Sequence, residues 1–232
     1  MKPLLVLAAF PVVLMGWASC SHSGTGHAAL PDPRAVDKSV PEYKNPFHPS
    51  TYAHFVARKD YRKTYDVYKD DTLLNRQPKK SRKIFVCLDE QRGQYLVDGL
   101  VAMDFPLSSG VKAYPTKTGD YAVISKKEDH TSNLYGKMYD AEGKCINYNA
   151  ESTDPIPEGG RFDGSPMPYW QRLTNAGLGL HVGKVRRHPV SHGCVRLPRN
   201  VAEILYRQTS IGTPVTIQKT PLPVPEIQKV PA

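Results

Sequence analysis

The stretch that decides both the fold and the chemistry of this chain is HVGKVRRHPVSHGCVR, residues 181–196. Within fourteen positions it places three histidines and one cysteine, which are His181, His188, His192 and Cys194. Pro189 and Gly193 interrupt the stretch, so a loop or hairpin is expected rather than one helix face. Such a set suits a thiolate nucleophile activated by an imidazole, or a zinc site built from imidazole and thiolate ligands. Surface histidines beside a buried structural thiol are the alternative without chemistry.

The nucleophile interpretation has a specific geometry. Gly193 lets the chain bend sharply, and the backbone N–H groups around His192, Gly193 and Cys194 can then hold an oxyanion. His181 ends a predicted strand, so it could face Cys194 across a sheet and act as the general base. The order of these residues therefore favours a Cys/His hydrolase or acyltransferase.

The same stretch also contains several basic side chains. Arg196 and the run Lys184, Arg186 and Arg187 would suit a substrate with free carboxylates, since guanidinium groups bind carboxylates in a bidentate way. For Lys184 and Arg187 we expect only a solvated loop. The breaks in the stretch make the zinc interpretation the weaker one, and we expect neither a metal nor a cofactor.

The segment 191–197, SHGCVRL, preceded by 179–183, GLHVG, resembles the signature of the L,D-transpeptidase catalytic (YkuD-type) domain. Further matches are weaker one by one: LSSG at 107–110, PTKTGDY at 115–121 and GTPV at 212–215 resemble other segments of that domain. The resemblance covers about residues 82–218, which is the size of one domain. It is closest to members with compact spacing, because only nine residues separate His181 from Ser191.

The resemblance implies roles for single positions. Cys194 would attack the carbonyl between a third-position diamino acid and D-Ala in a peptidoglycan stem tetrapeptide, and His181 would generate the thiolate. The amides at the bend would hold the oxyanion, with His192 as an auxiliary member of the site. Ser191 and Arg196 would belong to the substrate site.

The same resemblance implies a mostly β fold around a mixed, sandwich-like sheet with one short C-terminal helix, and acylation by carbapenems. Release of D-Ala would leave a thioester, which a neighbouring stem amine would resolve as a 3→3 cross-link. The chain departs from the family pattern in two places. Lys117 replaces an expected Pro, and residues 126–164 match no family segment. The choice of acceptor therefore stays open.

Alternation and turn residues give an independent view of the fold. We predict strands at 83–88, 94–97, 100–107, 120–125, 177–181 and 213–217. We predict a short helical piece at 168–173 and a helix at 198–208, whose apolar residues repeat at helical spacing. The polar residues 126–164 read as an elaborated loop or flap.

The N-terminus predicts export. Residues 1–19 combine a positive Lys2 with an apolar run that is too short to span a membrane, as in a secretory signal. Cys20 ends a box that resembles the cleavage site of bacterial lipoproteins, and Ser21 weakly favours the outer membrane. Ordinary secretion with a cut after Ala29 is the alternative. We expect a periplasmic protein whose membrane contact is the lipid on Cys20.

The predicted divisions are a signal at 1–19, a linker and basic Tyr-rich extension at 20–81, the catalytic domain at 82–218 and a Pro-rich tail at 219–232 that does not pack. Interleaved tyrosines and cations at 51–80 could stack on nucleic acid, but export disfavours that partner, and tyrosines packed on the domain are the plainer expectation. In an oxidising compartment Cys87 and Cys145 could pair, or could stay as buried free thiols.

Composition sets outer limits. The chain has 232 residues, 40% hydrophobic residues, 17 Gly and 21 Pro, which argues against collagen, wholesale disorder and a bundle of long helices. Its formal charge of +9 favours anionic surfaces, including wall polymers that carry carboxylates. The leading hypothesis is a peptidoglycan L,D-transpeptidase. Its rivals are an L,D-carboxypeptidase or endopeptidase with the same thiol, a non-catalytic wall-binding lipoprotein and a zinc-binding regulator.

Overall fold

The structure is a computed structural model that describes residues 30–78, 81–221 and 224–230. The helices in this part are α1 (Tyr52–Ala57), α2 (Asp71–Asn75), α3 (Arg199–Gln208) and a 3-10 turn (Glu226–Gln228). The strands are β1 (Tyr68–Lys69), β2 (Arg82–Cys87), β3 (Arg92–Val97), β4 (Leu100–Pro106), β5 (Gly119–Ala122), β6 (Ser125–Lys127), β7 (Thr131–Tyr139), β8 (Cys145–Glu151), β9 (Arg161–Pro166), β10 (Trp170–Arg172), β11 (Gly179–Val182), β12 (Val195–Leu197) and β13 (Pro214–Gln218). The mostly β class predicted from the sequence is confirmed.

Three sheets build the fold. A six-stranded mixed sheet has the order β1-β4-β3-β2-β13-β5, in which only β13 and β2 run parallel. A four-stranded sheet has the order β12-β11-β10-β6, with β11 and β12 parallel. A three-stranded antiparallel sheet has the order β8-β7-β9.

One hydrophobic core joins the first two sheets and α3. Ile84 on β2 and Val215 on β13 are register partners and both are fully buried, as their alternation with more exposed neighbours predicts. Leu180 and Val195 reach the same core from the parallel pair β11–β12, and the buried stripe of α3 completes it. The core thereby fixes the ends of β11 and β12, where residues 181 and 194 lie.

Two expectations for the middle of the chain are wrong. Residues 126–164 form most of the three-stranded sheet rather than an irregular loop. Its strands are largely exposed and have register shifts, so they lack the apolar alternation by which strands are recognised. Residues 168–173, predicted as helical, contain β10, which pairs with β6 and β11 on its two sides.

The described part of residues 20–81 is not a linker. Phe47 and Tyr52 are fully buried, and β1 extends the six-stranded sheet by pairing with β4. The hydroxyls of Tyr52 and Tyr61 donate to the buried Asp104 carboxylate over 2.6 Å and 2.9 Å. The expectation that tyrosines pack on the domain is confirmed for this pair, because each buries a large ring and bonds its polar end.

The described part of the tail also packs, against expectation. Val224 is buried, and the side-chain amide of Gln228 bonds both the N–H and the C=O of Val101 on β4, over 2.9 Å and 3.0 Å. These bonds anchor residues 224–230 despite their prolines.

The buried charge pair beneath the N-terminal residues gives a stability prediction. Arg92 donates to Asp104 over 2.5 Å, and their side chains are 2% and 0% exposed. Asp104→Asn should lower the free energy of unfolding by about 3–5 kcal/mol, because it leaves the Arg92 charge buried without a counter-ion. Asp66→Asn, which removes an exposed partner of Arg58, should change it little in the same denaturant titration. Equal effects of the two substitutions would contradict the prediction.

Cys87 and Cys145 do not form a disulfide. Cys87 on β2 and Cys145 on β8 are both free and lie in different sheets, so the disulfide alternative is wrong. Cys20 lies outside the described residues. None of the described helices is long and apolar enough to cross a membrane.

Candidate active site

The parallel pair β11–β12 brings the predicted nucleophile and base together. Leu180 pairs with Val195 in the core, so the alternate residues His181 and Arg196, which also pair, point to the opposite face. Cys194 precedes β12 by one residue and shares that face. It is therefore a diagonal neighbour of His181, with Cβ atoms on the order of 7 Å apart. Both side chains line one cavity of about 570 Å³, whose far wall is the three-stranded sheet.

The Cys194 side chain is half-buried, and its thiol bonds the backbone of residues 177–179. Its Sγ donates to the carbonyl oxygen of Gly177 over 3.3 Å. Burial raises the pKa of the Cys194 thiol above its usual value, although a hydrogen bond from the Gly179 amide and the charge of Arg196 both oppose the shift. The resting thiol is therefore protonated at neutral pH, so a base must take its proton before or during attack.

His181 is oriented as a neutral base. Its Nδ1 lies 2.8 Å from the carbonyl oxygen of Val182, so Nδ1 carries the hydrogen and Nε2 is left to accept a proton. Burial lowers the pKa of His181 to about 4, and the nearby charges of Arg196 and His130 act in the same direction. The imidazole is thus unprotonated at neutral pH and can take the thiol proton as attack occurs.

The bend before Cys194 is held from two sides. Gly193 has φ +111, which favours glycine, and Thr116 Oγ1 donates to its carbonyl oxygen over 2.7 Å while accepting from the Gly110 amide over 2.8 Å. A Cβ on Gly110 would lie 2.8 Å from Gly193 Cα, so the two segments approach as closely as backbone allows. The weak matches around residues 107–121 therefore mark the support of this bend.

Ser191 lines the cavity and also bonds within the bend. It is buried, and its hydroxyl donates to the Cys194 carbonyl oxygen and accepts from the Gly193 amide over 3.2 Å. It therefore shapes the bend from within. The Gly193 amide is therefore already engaged within the bend.

Thr116 gives a test of the bend. Thr116→Val removes both hydrogen bonds at nearly constant volume, so the bend should relax and acylation should slow by about tenfold to a hundredfold. Thr213→Val is the matched control, because this buried hydroxyl accepts from the Ser210 amide in the turn before β13. Acylation rates and melting temperatures should separate the two variants. Similar acylation rates at similar stability would contradict a role for the bend.

His192 is exposed and packs between two tyrosines. Its ring stacks on Tyr135 of β7 with centroids 4.4 Å apart, and lies 4.8 Å from the ring of Tyr114. This contact joins the bend to the three-stranded sheet, which fits an auxiliary place beside the nucleophile. Sequence reasoning missed both tyrosines, since neither belongs to a recognised strand pattern.

The basic residues of the 181–196 stretch do not all lie where the sequence predicts. The guanidinium of Arg187 turns inward and donates to the carbonyl oxygens of Thr64 and Glu90 over 3.0 Å and 2.9 Å, so the expectation of a solvated loop is wrong for it. Lys184 is exposed but lines the cavity, as does the half-buried Arg196. Sequence reasoning also missed Arg172, whose position on β10 was assigned to a helix.

The zinc alternative requires a group of metal-ligating side chains. In residues 30–78, 81–221 and 224–230, no three His, Cys, Asp or Glu side chains are grouped to hold a metal ion. His192 packs on tyrosine rings, and His188 is exposed.

The fold and site define a class. The model of the YkuD family, the L,D-transpeptidase catalytic domain, matches residues 81–217, and the chain belongs to this family. A curated relative, the probable L,D-transpeptidase 3 of Mycobacterium tuberculosis, is 31% identical over 121 residues, which are 49% of this chain and 38% of the relative. This chain thus matches less than half the length of that relative.

Solved structures of similar proteins include the catalytic domain of an E. faecium L,D-transpeptidase. It is 28% identical with a TM-score of 0.43, over 60% of this chain and 97% of that one. Another is L,D-transpeptidase 3 from Mycobacterium tuberculosis in complex with a faropenem-derived adduct, 23% identical with a TM-score of 0.43 over 60% of each chain.

Proposed function

We propose that this protein is a cysteine-dependent peptidoglycan L,D-transpeptidase, with Cys194 as the nucleophile and His181 as the general base. Family membership supports the reaction class. The observation that carries the assignment of residues is the shared cavity, which is lined by both the half-buried Cys194 thiol and the His181 imidazole, whose Nε2 is available.

The mechanism follows from these protonation states. Cys194 Sγ attacks the carbonyl carbon between the third residue and D-Ala of a stem tetrapeptide, and its proton passes to His181 Nε2. The amides of the bend hold the oxyanion. When the C–N bond breaks, the D-Ala amine takes the proton from His181, leaving a thioester on Cys194.

The second half of the reaction repeats the first with a new nucleophile. An amine of a neighbouring stem attacks the thioester carbonyl, loses its proton to His181 and forms a 3→3 cross-link. Cys194 Sγ leaves and recovers the proton. If water attacks instead, the product is a shortened tripeptide, as in an L,D-carboxypeptidase.

Mass spectrometry of products from a disaccharide-tetrapeptide tests the proposal. A cross-linked dimer, together with one D-Ala released for each link, is the expected result. Tripeptide alone would assign the carboxypeptidase reaction, and an absence of turnover would favour the wall-binding protein.

The proposal includes inhibition by carbapenems. The strained β-lactam carbonyl is an acyl donor for the same thiol, and ring opening releases no leaving group. The protein should therefore gain the full mass of the drug on Cys194. Unchanged protein mass after incubation would count against this part.

Export to the periplasm and lipidation of Cys20 also belong to the proposal. The sequence pattern of residues 1–20 supports this part of the proposal. The location of the substrate also supports it, because an enzyme that acts on the wall must meet its substrate outside the cytoplasm. Mass analysis of the N-terminal peptide from membranes should find a lipid-modified Cys20. A mature N-terminus after Ala29 would assign ordinary secretion.

A further inference from the structure

The charged side chains that line the cavity around Cys194 are Lys and Arg, so its charge is positive. Its lining includes Lys117, Arg172, Lys184 and Arg196, and none of its lining residues in the described part of the chain is Asp or Glu. A cavity with this balance attracts carboxylates and disfavours cations.

Within the part of the chain that the structure describes, these four cations also have no polar side-chain partner. In the described residues, none of the four side chains forms an ion pair or donates a side-chain hydrogen bond, and none is part of a cation–π contact. Other arginines of the chain contrast with this, since Arg92 and Arg187 bond carboxylate or carbonyl oxygens. Arg172 and Arg196 are half-buried, so they give up part of their hydration with no protein group in exchange.

The sheet register sets these two guanidinium groups around the nucleophile. Arg172 on β10 pairs with Gly179 on β11, whose amide bonds Cys194 Sγ, so these residues form one row across the sheet. Two residues along β11, on the same face, His181 pairs with Arg196, and the rings of Trp170 and His181 lie 5.9 Å apart. With strands about 4.8 Å apart and residues about 3.3 Å apart, Arg172 begins two strands from Cys194 and Arg196 two residues from it.

We propose that this cavity selects donor stems whose carboxyl groups are free rather than amidated, and that Arg172 and Arg196 are the residues that distinguish them. The inference rests on the proposed function and adds a specificity to it. A carboxylate accepts two parallel hydrogen bonds from a guanidinium group, whereas a primary amide offers one acceptor and turns donors toward the cation. A stem peptide presents carboxyl groups on both sides of the scissile carbonyl, within reach of long arginine side chains.

The test uses two tetrapeptides that differ only in amidation of the second-residue and third-residue carboxyl groups. The rate of D-Ala release at low substrate concentration measures kcat/KM for each. For the unaltered protein we expect the amidated stem to react about tenfold to a hundredfold more slowly, the effect of losing hydrogen bonds to a charged group. Arg172→Gln and Arg196→Gln should each reduce that ratio, mainly by slowing the free-carboxylate stem.

Arg186→Gln is the matched control. Arg186 is an exposed cation in the segment between β11 and β12 and does not line the cavity, so its loss should leave the ratio unchanged. Equal rates for the two stems would overturn the inference while leaving the proposed function intact, as would equal effects of Arg186→Gln and Arg196→Gln.

A binding measurement separates this inference from the proposed function. Calorimetry with Cys194→Ala protein compares the affinities of the two tetrapeptides without turnover. If neither stem is turned over by the unaltered protein, the proposed function fails. A tighter binding of the free-carboxylate stem would still support the selectivity, and equal binding would overturn it.

Discussion

Replacing Cys194 by alanine should abolish release of D-Ala from a stem tetrapeptide, lowering the rate by about 10⁴-fold or more. The reason is that the proposed reaction passes through a thioester, and the alanine side chain cannot form one. The fold should persist, because Cys194 lies on the cavity side of β12 and contributes no side chain to the hydrophobic core. Chromatographic assay of D-Ala and a thermal unfolding curve would measure the two expectations.

Cys87→Ala and Cys145→Ala are the controls for a general effect of losing a thiol. Both cysteines are free and neither lines the cavity, so each variant should keep its activity. A non-catalytic wall-binding protein makes the opposite prediction, since Cys194→Ala would then leave every measurable property unchanged. Turnover by Cys194→Ala would exclude the proposed nucleophile.

The parts of the fold with strong local signals could be predicted from the sequence. The β2–β3 hairpin combines β-rich runs with a polar turn, and α3 has an apolar stripe closed by Pro198 and Gly212. The SHGC string with His181 upstream likewise pointed to the family, through its resemblance to the family signature. Each of these signals lies within about a dozen residues of sequence, where propensity and periodicity act.

The parts that depend on distant contacts could not be predicted. Tyr61 reaches Asp104 across 43 positions, and Arg172 joins the site only because β10 pairs with β11. The strands β7–β9 are largely exposed to solvent, so their sequences lack the alternation of apolar and polar residues by which a strand is recognised. Burial also raises the pKa of the Cys194 thiol, and no local sequence pattern reveals that burial.

Replacing His181 by glutamine should slow acylation of Cys194 by about 10²–10⁴-fold, the usual effect of losing a general base. Glutamine is neutral and cannot take up the thiol proton. Since burial lowers the pKa of His181 to about 4, the unaltered enzyme should keep its base active down to about that pH. Rates of acylation by a carbapenem between pH 3.5 and about 8 would measure the loss of rate on the acid side of the profile, which is the acid limb. A limb centred near the ordinary histidine pKa of about 6.5 would contradict a buried neutral base.

Loss of His192 distinguishes the base from its neighbour. His192 is exposed and stacks on Tyr135, so His192→Gln should weaken packing of the bend without removing the proton acceptor. We expect this variant to lose less acylation rate than His181→Gln and to keep the same acid limb. If the loss were larger for His192→Gln, the role of the base would pass to His192.

The same burial makes His181 a source of acid sensitivity in the fold. The unfolded chain protonates this histidine near pH 6.5, whereas the folded protein does so only near pH 4. Between these values the unfolded state binds more protons, so stability falls as the pH falls, by about 3 kcal/mol from this residue. His181→Gln should remove that part of the pH dependence in denaturant titrations, and the exposed His188→Gln should not. If both variants kept the slope of the unaltered protein, burial would not lower the pKa of His181.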